Sequence, residues 1–248
     1  MDSARAAFTV RLLSALLLAG PVAAQTQGNG FLFRQPVGTL GLRAGFAQPT
    51  ASSDIFEFVT DELSLGKSDF ASASFELDLA FRLFERLDVV LGSAYSGSDT
   101  QSDFRHFVDN NDLPIEQTTS FARVPVTASA KLYLTDRGRS VGRYAWIPAT
   151  FAPYIGAGGG AMWYRFRQEG DFINMDTFEV FTDTFESDGW APTAVAFAGL
   201  DVSLGPRFGV TGEGRYTWGK ASMGSDFSGF EKIDLSGYNA SLGFYVRF

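Results

Sequence analysis

The sequence predicts an all-β protein: an antiparallel up-and-down transmembrane β-barrel, most simply one of eight strands. Three observations predict this fold. Eight segments alternate between apolar and polar residues with a period of two, which is typical of strands whose two faces meet different surroundings. The connections between these segments alternate between short and long, as in membrane barrels. The last segment alternates up to an aromatic final residue, Phe248.

The first 24 residues have the pattern of a secretory signal peptide. Two arginines accompany an apolar run at 12–19, and small residues at 22–24 provide a cleavage site. An anchor helix is the alternative, but this run is well short of the roughly 20 apolar residues that span a bilayer. We therefore predict a signal peptide at 1–24, a short periplasmic lead at 25–36 and a barrel domain at 37–248.

The predicted strands follow one another along the whole barrel domain. In chain order they are about 37–46, 69–83, 87–96, 118–134, 151–167, 189–204, 208–218 and the segment that ends at 248. The fifth is rich in glycine, and its facing is the least defined by the pattern. We place Tyr154, Met162, Tyr164 and Phe166 on its outer face and Arg165 on its inner face. Ten strands are an alternative, because parts of 48–68 and 168–188 also alternate.

Charge separates the two sets of connections. The four long loops at 48–68, 97–117, 168–188 and 219–234 carry 19 acidic and four basic residues. The three links on the other side carry two acidic and five basic residues. The acidic loops are interpreted as a hydrated outer surface. Calcium bridging to lipopolysaccharide phosphates is an alternative, although no loop has the ligand spacing of an EF-hand.

Periodicity alone does not say which face meets lipid, because a soluble lipocalin-like barrel alternates with reversed faces. The polar face combines small residues with charges that nearly cancel, as a narrow packed lumen requires. Aromatic residues lie near the predicted strand ends, as interfacial girdles do. These are Tyr95, Tyr154, Tyr164, Trp190, Trp218 and Phe248.

The charges of the polar face form the most specific group of candidate site residues. They are Arg43, Glu76, Asp78, Arg82, Arg123, Lys131, Arg165, Glu213 and Arg215. An eight-stranded barrel has an interior just wide enough for side chains to fill. One interpretation is therefore a plug of salt bridges that closes the lumen. The other is a narrow or gated path for ions.

Composition excludes several classes of function. The chain has no cysteine, so disulfides and thiolate metal sites are excluded. A single histidine, His106, excludes multi-histidine zinc sites. The net charge of −8 argues against binding nucleic acid. We predict no cofactor and no metal.

The stretch from Gly243 to Phe248, together with 153–160, resembles the small eight-stranded bacterial outer-membrane barrels, such as the OmpA transmembrane domain and OmpX. The resemblance implies a monomer in the bacterial outer membrane, in contact with lipid and lipopolysaccharide. It also implies that the barrel assembly machinery reads Phe244, Val246 and Phe248 during insertion.

The expected function is non-catalytic: membrane integrity or surface interaction through acidic, Phe-rich outer loops. A narrow pore, or a conduit for ions or small apolar molecules, is the alternative. A further alternative is a lipid A-modifying enzyme, because Ser102, Asp103 and Asp109 lie near His106 in the sequence. No spacing places these residues as a catalytic triad.

Overall fold

The computed structural model describes residues 30–109, 112–174, 177 and 179–248. Its strands are β1 (Leu32–Phe33), β2 (Gly38–Pro49), β3 (Ser72–Arg82), β4 (Leu87–Val108), β5 (Pro114–Tyr133), β6 (Gly138–Val141), β7 (Ala145–Pro148), β8 (Phe151–Ile173), β9 (Val180–Ser203), β10 (Phe208–Ala221), β11 (Ile233–Asp234) and β12 (Gly237–Arg247). One α-helix, α1 (Asp54–Glu62), and 3₁₀ turns at Lys67–Phe70 and Ser225–Phe227 lie between them.

Eight of these strands close into an antiparallel barrel in the order β2, β3, β4, β5, β8, β9, β10 and β12, with β12 paired to β2. The predicted eight-stranded up-and-down barrel is therefore confirmed. The ten-strand alternative is wrong for two reasons. Segment 48–68 folds into α1, and segment 168–188 lengthens β8 and β9 instead of adding strands.

Two small groups of strands lie at the ends of the barrel. β1, β7 and β6 form a separate three-stranded sheet at the periplasmic end. Its first strand falls in the segment predicted as a periplasmic lead. β11 pairs with the outer end of β10 through Ala221 and Ile233. Among the described residues, no helix combines the length and apolar character needed to cross a bilayer.

In the middle of the barrel, apolar side chains point outward and polar side chains point inward. On β3, Phe75 and Leu77 are exposed on the outer wall, whereas Glu76 and Asp78 are buried in the lumen. The alternation continues from strand to strand because the register is regular, with Leu77 opposite Leu42 on β2. This arrangement gives the barrel an apolar outer band and a polar interior.

Above this band the polarity of the two faces is reversed. From the level of the cross-strand pair Trp163 and Trp190 outward, the lumen is lined by Met162, Tyr164 and Phe166, all buried, while Arg165 is exposed on the outer wall. The sequence-based facing of β8 is therefore wrong for all four of these residues. Apolar residues face lipid only where lipid is present; outside the bilayer they face inward, as in a soluble barrel.

Tyr154, at the lower end of β8, also faces inward, contrary to the prediction. Its ring lies against Gly199 of β9, where any side chain would overlap it. In the same way, the ring of Phe197 covers Gly156. Large aromatic rings can fill the lumen because the neighbouring strand supplies a glycine at each of these two points.

The barrel strands are longer than the alternation predicts. β4 continues to Val108 and β9 begins at Val180, so most of the predicted loops 97–117 and 168–188 are strand. The backbone ladder continues past the bilayer, whereas the apolar outward face does not. The sequence pattern therefore marks the membrane-crossing part of each strand more faithfully than its ends.

Candidate functional site in the barrel lumen

Five buried charged side chains from three strands meet at the centre of the lumen, and we call them the central cluster: Arg43, Glu76, Asp78, Glu213 and Arg215. Arg43 Nη2 lies 2.6 Å from Glu76 Oε2 and 2.5 Å from Asp78 Oδ2. It lies 3.2 Å from Glu213 Oε1. Arg215 Nη2 donates to the same Glu213 oxygen at 2.8 Å.

The register of the sheet explains why these charges meet. Arg43 and Glu76 are direct cross-strand partners on β2 and β3. Glu213 and Arg215 point inward from β10, on the far side of β12 from β2. Because the barrel is narrow, side chains from strands that are not paired with one another can meet inside its lumen. Each carboxylate therefore has a guanidinium near it, which offsets the cost of burying charge.

A second ion pair extends the network towards the periplasm. Lys131 Nζ lies 2.9 Å from Asp201 Oδ2, and Tyr133 donates its hydroxyl to the same oxygen at 2.9 Å. The Lys131 ammonium also lies 3.6 Å from the centre of the Tyr154 ring. Tyr154 donates its hydroxyl to Glu213 Oε2 at 2.9 Å, which joins this pair to the central cluster.

The periplasmic end of the lumen is filled by the link between β5 and β8. Arg137 Nη1 donates to both carboxylate oxygens of Asp88 at 2.6 Å, and Arg137 Nη2 donates to the Phe84 carbonyl at 3.0 Å. Trp146 of β7 is fully buried, with the Arg247 guanidinium 5.6 Å from its ring centre. Sequence reasoning missed Arg137 and Trp146, because they lie in an irregular link without periodicity.

The predicted lumen charges divide into two groups. Six of them come together as described: Arg43, Glu76, Asp78, Lys131, Glu213 and Arg215. The other three do not join them. Arg165 lies on the outer wall, 5.7 Å from the Trp163 ring, because β8 faces the opposite way from the prediction.

Arg82 and Arg123 face inward but lie at opposite ends of the lumen, away from the central cluster. Arg82 lines the periplasmic mouth with Arg137 and Trp146. Arg123 is buried near the outer end and donates to the carbonyl oxygens of Leu235 and Ser236 at 2.9 and 3.2 Å. The prediction that they join Glu76 and Asp78 in one salt-bridge network is therefore wrong. The strands are so long that side chains at the two ends of the lumen do not reach the central cluster.

The outer end of the lumen holds an apolar cluster around α1, which we call the outer cap. Ile55, Phe56 and Val59 of the helix are fully buried. The Phe56 ring centre lies 5.2 Å from that of Phe121 and 5.7 Å from that of Phe166, in edge-to-face contacts. Aromatic pairs at such distances and angles add to the stabilisation from burial.

Hydrogen bonds tie the start of α1 to the link between β10 and β12. Ser52 donates its hydroxyl to Asp234 Oδ2 at 2.7 Å, and the Ser236 amide donates to Asp234 Oδ1 at 3.0 Å. The Glu231 amide donates to Asp54 Oδ2 at 2.7 Å. Burial alone raises the pKa of Asp234, but the hydrogen bonds from Ser52 and Ser236 outweigh it and hold this pKa below the ordinary value.

The lowered pKa of Asp234 makes the outer cap sensitive to acid. A depressed carboxyl pKa stabilises the fold above its unfolded value, about 4, and this contribution is lost as the pH falls through the folded value. We expect Asp234→Asn to speed amide exchange in α1 by at least about tenfold at pH 7, because hydrogen bonds to a charged group contribute about 1.5–3 kcal/mol. At pH 3 variant and wild type should differ much less.

Hydrogen exchange read by mass spectrometry over 51–63 measures this effect. Asp226→Asn is the matched control, because Asp226 accepts from the Glu186 amide and not from the start of α1. Equal α1 exchange in wild type and Asp234→Asn at pH 7 would contradict the role of this carboxylate.

The cavities that lie along the lumen among the described residues include two small ones. One of about 20 Å³ lies at the periplasmic mouth, and one of about 30 Å³ lies between the central cluster and the Lys131–Asp201 pair. Each has room for about one water molecule. An open groove of about 610 Å³ lies on the barrel wall, among outward-facing residues such as Ala198, Gly214 and Tyr238.

The predicted outer loops do not assemble a metal site within the residues that the structure describes. No group of three or more His, Asp or Glu side chains is placed to hold a metal ion there. His106 is exposed on β4, whereas Ser102 is buried and its hydroxyl lies 3.5 Å from the Gln117 carbonyl. No hydrogen bond joins His106 to Ser102, as a base and its nucleophile would require.

The phenylalanines of the outer segments have two different environments. Phe56, Phe104 and Phe227 pack into the outer cap. Phe58 and Phe181 remain exposed. Phe178 and Asp176 of the predicted loop 168–188 lie outside the described residues.

The apolar band on the outer wall decides the environment of the barrel. Leu42, Leu91 and Leu242 are exposed there, whereas the charged central cluster is buried inside. A lipocalin-like soluble barrel has the opposite arrangement through the middle of its strands, so that alternative is wrong. The chain therefore has the fold of a transmembrane β-barrel of the outer-membrane type. Trp190 and Trp218 lie exposed at the outer margin of its band, whereas Tyr164, predicted for the same girdle, faces inward.

The residues predicted as an assembly signal lie on this lipid-facing wall. Phe244, Val246 and Phe248 alternate outward from β12 and are exposed. The backbone of Phe248 also closes the barrel, since its amide donates to the Gly38 carbonyl at 3.1 Å and its carbonyl accepts from the Val37 amide at 2.7 Å. Recognition of the Phe248 ring by the assembly machinery and closure of the sheet by its backbone are separate roles that variants can distinguish.

Two variants of Phe248 separate these roles. If the assembly machinery reads the ring, we expect Phe248→Ala to lower the amount of folded barrel in outer membranes as strongly as deletion of Phe248, with export unchanged. Heat-modifiable migration on gels of isolated outer membranes measures the folded fraction. Normal levels for Phe248→Ala and a loss only on deletion would assign the effect to the backbone closure instead.

No protein-family model matches the chain, and no curated protein matches it. Among solved structures, Neisserial surface protein A matches at 12% identity and TM-score 0.44, over 85% of this chain and 96% of that one. The N-terminal barrel of Pseudomonas aeruginosa OprF matches at 13% identity and TM-score 0.34, over 86% and 100%. E. coli outer membrane protein W matches at 16% identity and TM-score 0.38, over 87% and 100%. The fold assignment rests on the strand pairing of this chain, and no function is transferred from these proteins.

Proposed function

We propose that this protein is a non-catalytic, non-conducting outer-membrane barrel that seals its own lumen and makes its contacts at the outer surface. The observation that carries the proposal is the filling of the lumen at successive levels. Trp146 and the Arg137–Asp88 pair fill the periplasmic end, the central cluster fills the middle, and the outer cap fills the outer end.

An ion would meet two different obstacles along this path. At the central cluster it would have to compete with salt bridges of 2.5 to 3.2 Å around Arg43. At the outer cap it would have to pass the fully buried side chains of Ile55, Phe56 and Val59, which offer no polar atoms to replace its hydration shell. The cavities of about 20 and 30 Å³ do not join these levels into a water-filled channel.

The outer surface is the face that remains available for interaction. The β8–β9 hairpin continues about ten residues beyond the Trp163–Trp190 pair, up to Ile173 and Val180, roughly 33 Å along the strands. Its side chains include exposed acids such as Glu169 and Asp183. An acidic hairpin that extends above the membrane is suited to contact with other surface molecules, and this supports surface interaction as the second half of the proposal.

Single-channel recording in planar bilayers tests the closed lumen. We expect no conductance steps from refolded protein whose insertion is verified by its folded migration on unboiled gels. A general porin recorded under the same conditions controls for the bilayer. A variant with 169–184 replaced by a short turn should also be silent, because Trp146 and the central cluster still fill the lumen. Reproducible steps from the wild type would overturn the proposal in favour of a narrow pore.

A further inference from the structure

The periplasmic end of the barrel carries a set of exposed arginines, which we call the arginine collar: Arg34, Arg86, Arg139, Arg143 and Arg207. The exposed acidic side chains of the same segments are Glu85 and Asp136. Arg86 pairs with Asp136 at 2.7 Å. Among the described residues, the other four arginines take part in no ion pair. The collar therefore carries unneutralised positive charge, opposite in sign to the acidic outer surface.

The collar lies where the apolar band ends. Arg207 stands in the β9–β10 turn between Leu204 and Phe208, both exposed on the outer wall. Arg86 follows Leu83 and Phe84 in the β3–β4 turn, and these are exposed too. In each turn, apolar side chains that suit contact with lipid acyl chains are followed within a few residues by an arginine at the depth of the headgroups.

The periplasmic sheet adds the same combination at a second place. The Arg34 amide donates to the Tyr144 carbonyl at 2.9 Å, which brings the segments of Arg34 and Arg143 together. Each of these arginines is next in sequence to an exposed aromatic residue, Phe33 at 82% and Tyr144 at 59% of full exposure. Exposure of the Phe33 ring to water is unfavourable. Its position beside arginines therefore indicates contact with a partner that is both apolar and anionic.

We propose that the arginine collar binds the phosphate headgroups of anionic phospholipids in the periplasmic leaflet of the outer membrane. The planar guanidinium group matches phosphate oxygens in two parallel hydrogen bonds, and basic residues beside a bilayer are attracted to anionic lipid. The neighbouring rings lie at the depth of the headgroups, where aromatic side chains are favoured. A soluble anionic polymer would engage the arginines but leave Phe33, Phe84 and Phe208 in water.

Lipid association measured by electron spin resonance tests this proposal. Refolded protein is reconstituted in phosphatidylcholine with spin-labelled phosphatidylglycerol or spin-labelled phosphatidylcholine, and the bound fraction of each is compared. We expect a preference for phosphatidylglycerol of about fivefold, the factor that one well-placed basic residue contributes. In the variant Arg34→Gln, Arg139→Gln, Arg143→Gln, Arg207→Gln the preference should disappear, so that the ratio of bound phosphatidylglycerol to bound phosphatidylcholine is about 1.

Two further variants keep the result interpretable. The double variant Arg165→Gln, Arg167→Gln removes the exposed Arg165 and the partly exposed Arg167 from the outer part of β8 and should keep the preference. Replacing the four collar arginines by lysine should retain part of it, since charge persists while the planar group is lost. An equal preference in wild type and the four-glutamine variant, both folded on unboiled gels, would overturn the proposal. So would wild-type protein without lipid preference that co-sediments with purified peptidoglycan through the collar, since the anionic partner would then be the cell wall.

Discussion

Arg43→Ala is expected to destabilise the folded barrel by about 3–5 kcal/mol, the cost of leaving buried charges without their partner. Arg43 contacts three carboxylates, those of Glu76, Asp78 and Glu213, at 2.5 to 3.2 Å. After its removal only Arg215 remains near all three, at 3.8 and 3.9 Å from Glu76 and Asp78. The small cavity beside them leaves little room for water that could replace the hydrogen bonds of Arg43.

Urea unfolding in lipid vesicles, followed by the shift between folded and unfolded bands, measures this loss. Arg165→Ala is the matched control: the same residue type on the outer wall should cost no more than about 0.5 kcal/mol. Because the charges of the cluster interact, the double variant Arg43→Ala, Asp78→Asn should lose less free energy of unfolding than the two single variants lose in sum. A cost for Arg43→Ala as small as that for Arg165→Ala would mean that the central cluster is hydrated and open.

The membrane-crossing part of the fold could be predicted from the sequence because one physical contrast governs it. Between Leu40 and Phe46, and again between Phe75 and Leu83, lipid on one side and a packed lumen on the other impose a period of two. Strand number and order follow from counting such segments. The contrast disappears outside the bilayer, so the start of β9 at Val180 could not be read from the pattern.

The candidate site could be predicted only in part for a related reason. Glu76 and Arg43 share an inward face, so their meeting follows from alternation and register. Tyr154 faces inward because Gly199 makes room for it, and that partner lies 45 residues away on another strand. Trp146 and Arg137 lie in the link between β5 and β8. The conformation of this link depends on its packing against the mouth of the barrel. Complementary shapes between distant segments have no signature in the local sequence.

Leu79→Arg is the second change for which a large effect is expected, about 2–4 kcal/mol for an arginine near the bilayer midplane. Leu79 points outward from β3, and its cross-strand neighbours Leu40 and Leu91 are apolar and exposed. The guanidinium there would have to be desolvated or drawn towards a headgroup at the expense of local bilayer order. The central cluster cannot neutralise it, because the barrel wall lies between them.

The same unfolding assay decides the result, with Leu79→Ala included to account for the loss of the leucine side chain. Val180→Arg is the matched control, since Val180 is exposed near the tip of the β8–β9 hairpin. Placed in water, that arginine should change the free energy of unfolding by less than about 0.5 kcal/mol. A large cost at 79 and none at 180 would locate the lipid on the middle of the wall and leave the hairpin outside it. Equal costs at both positions would mean that the reversal of polarity at Trp163 does not mark the edge of the bilayer.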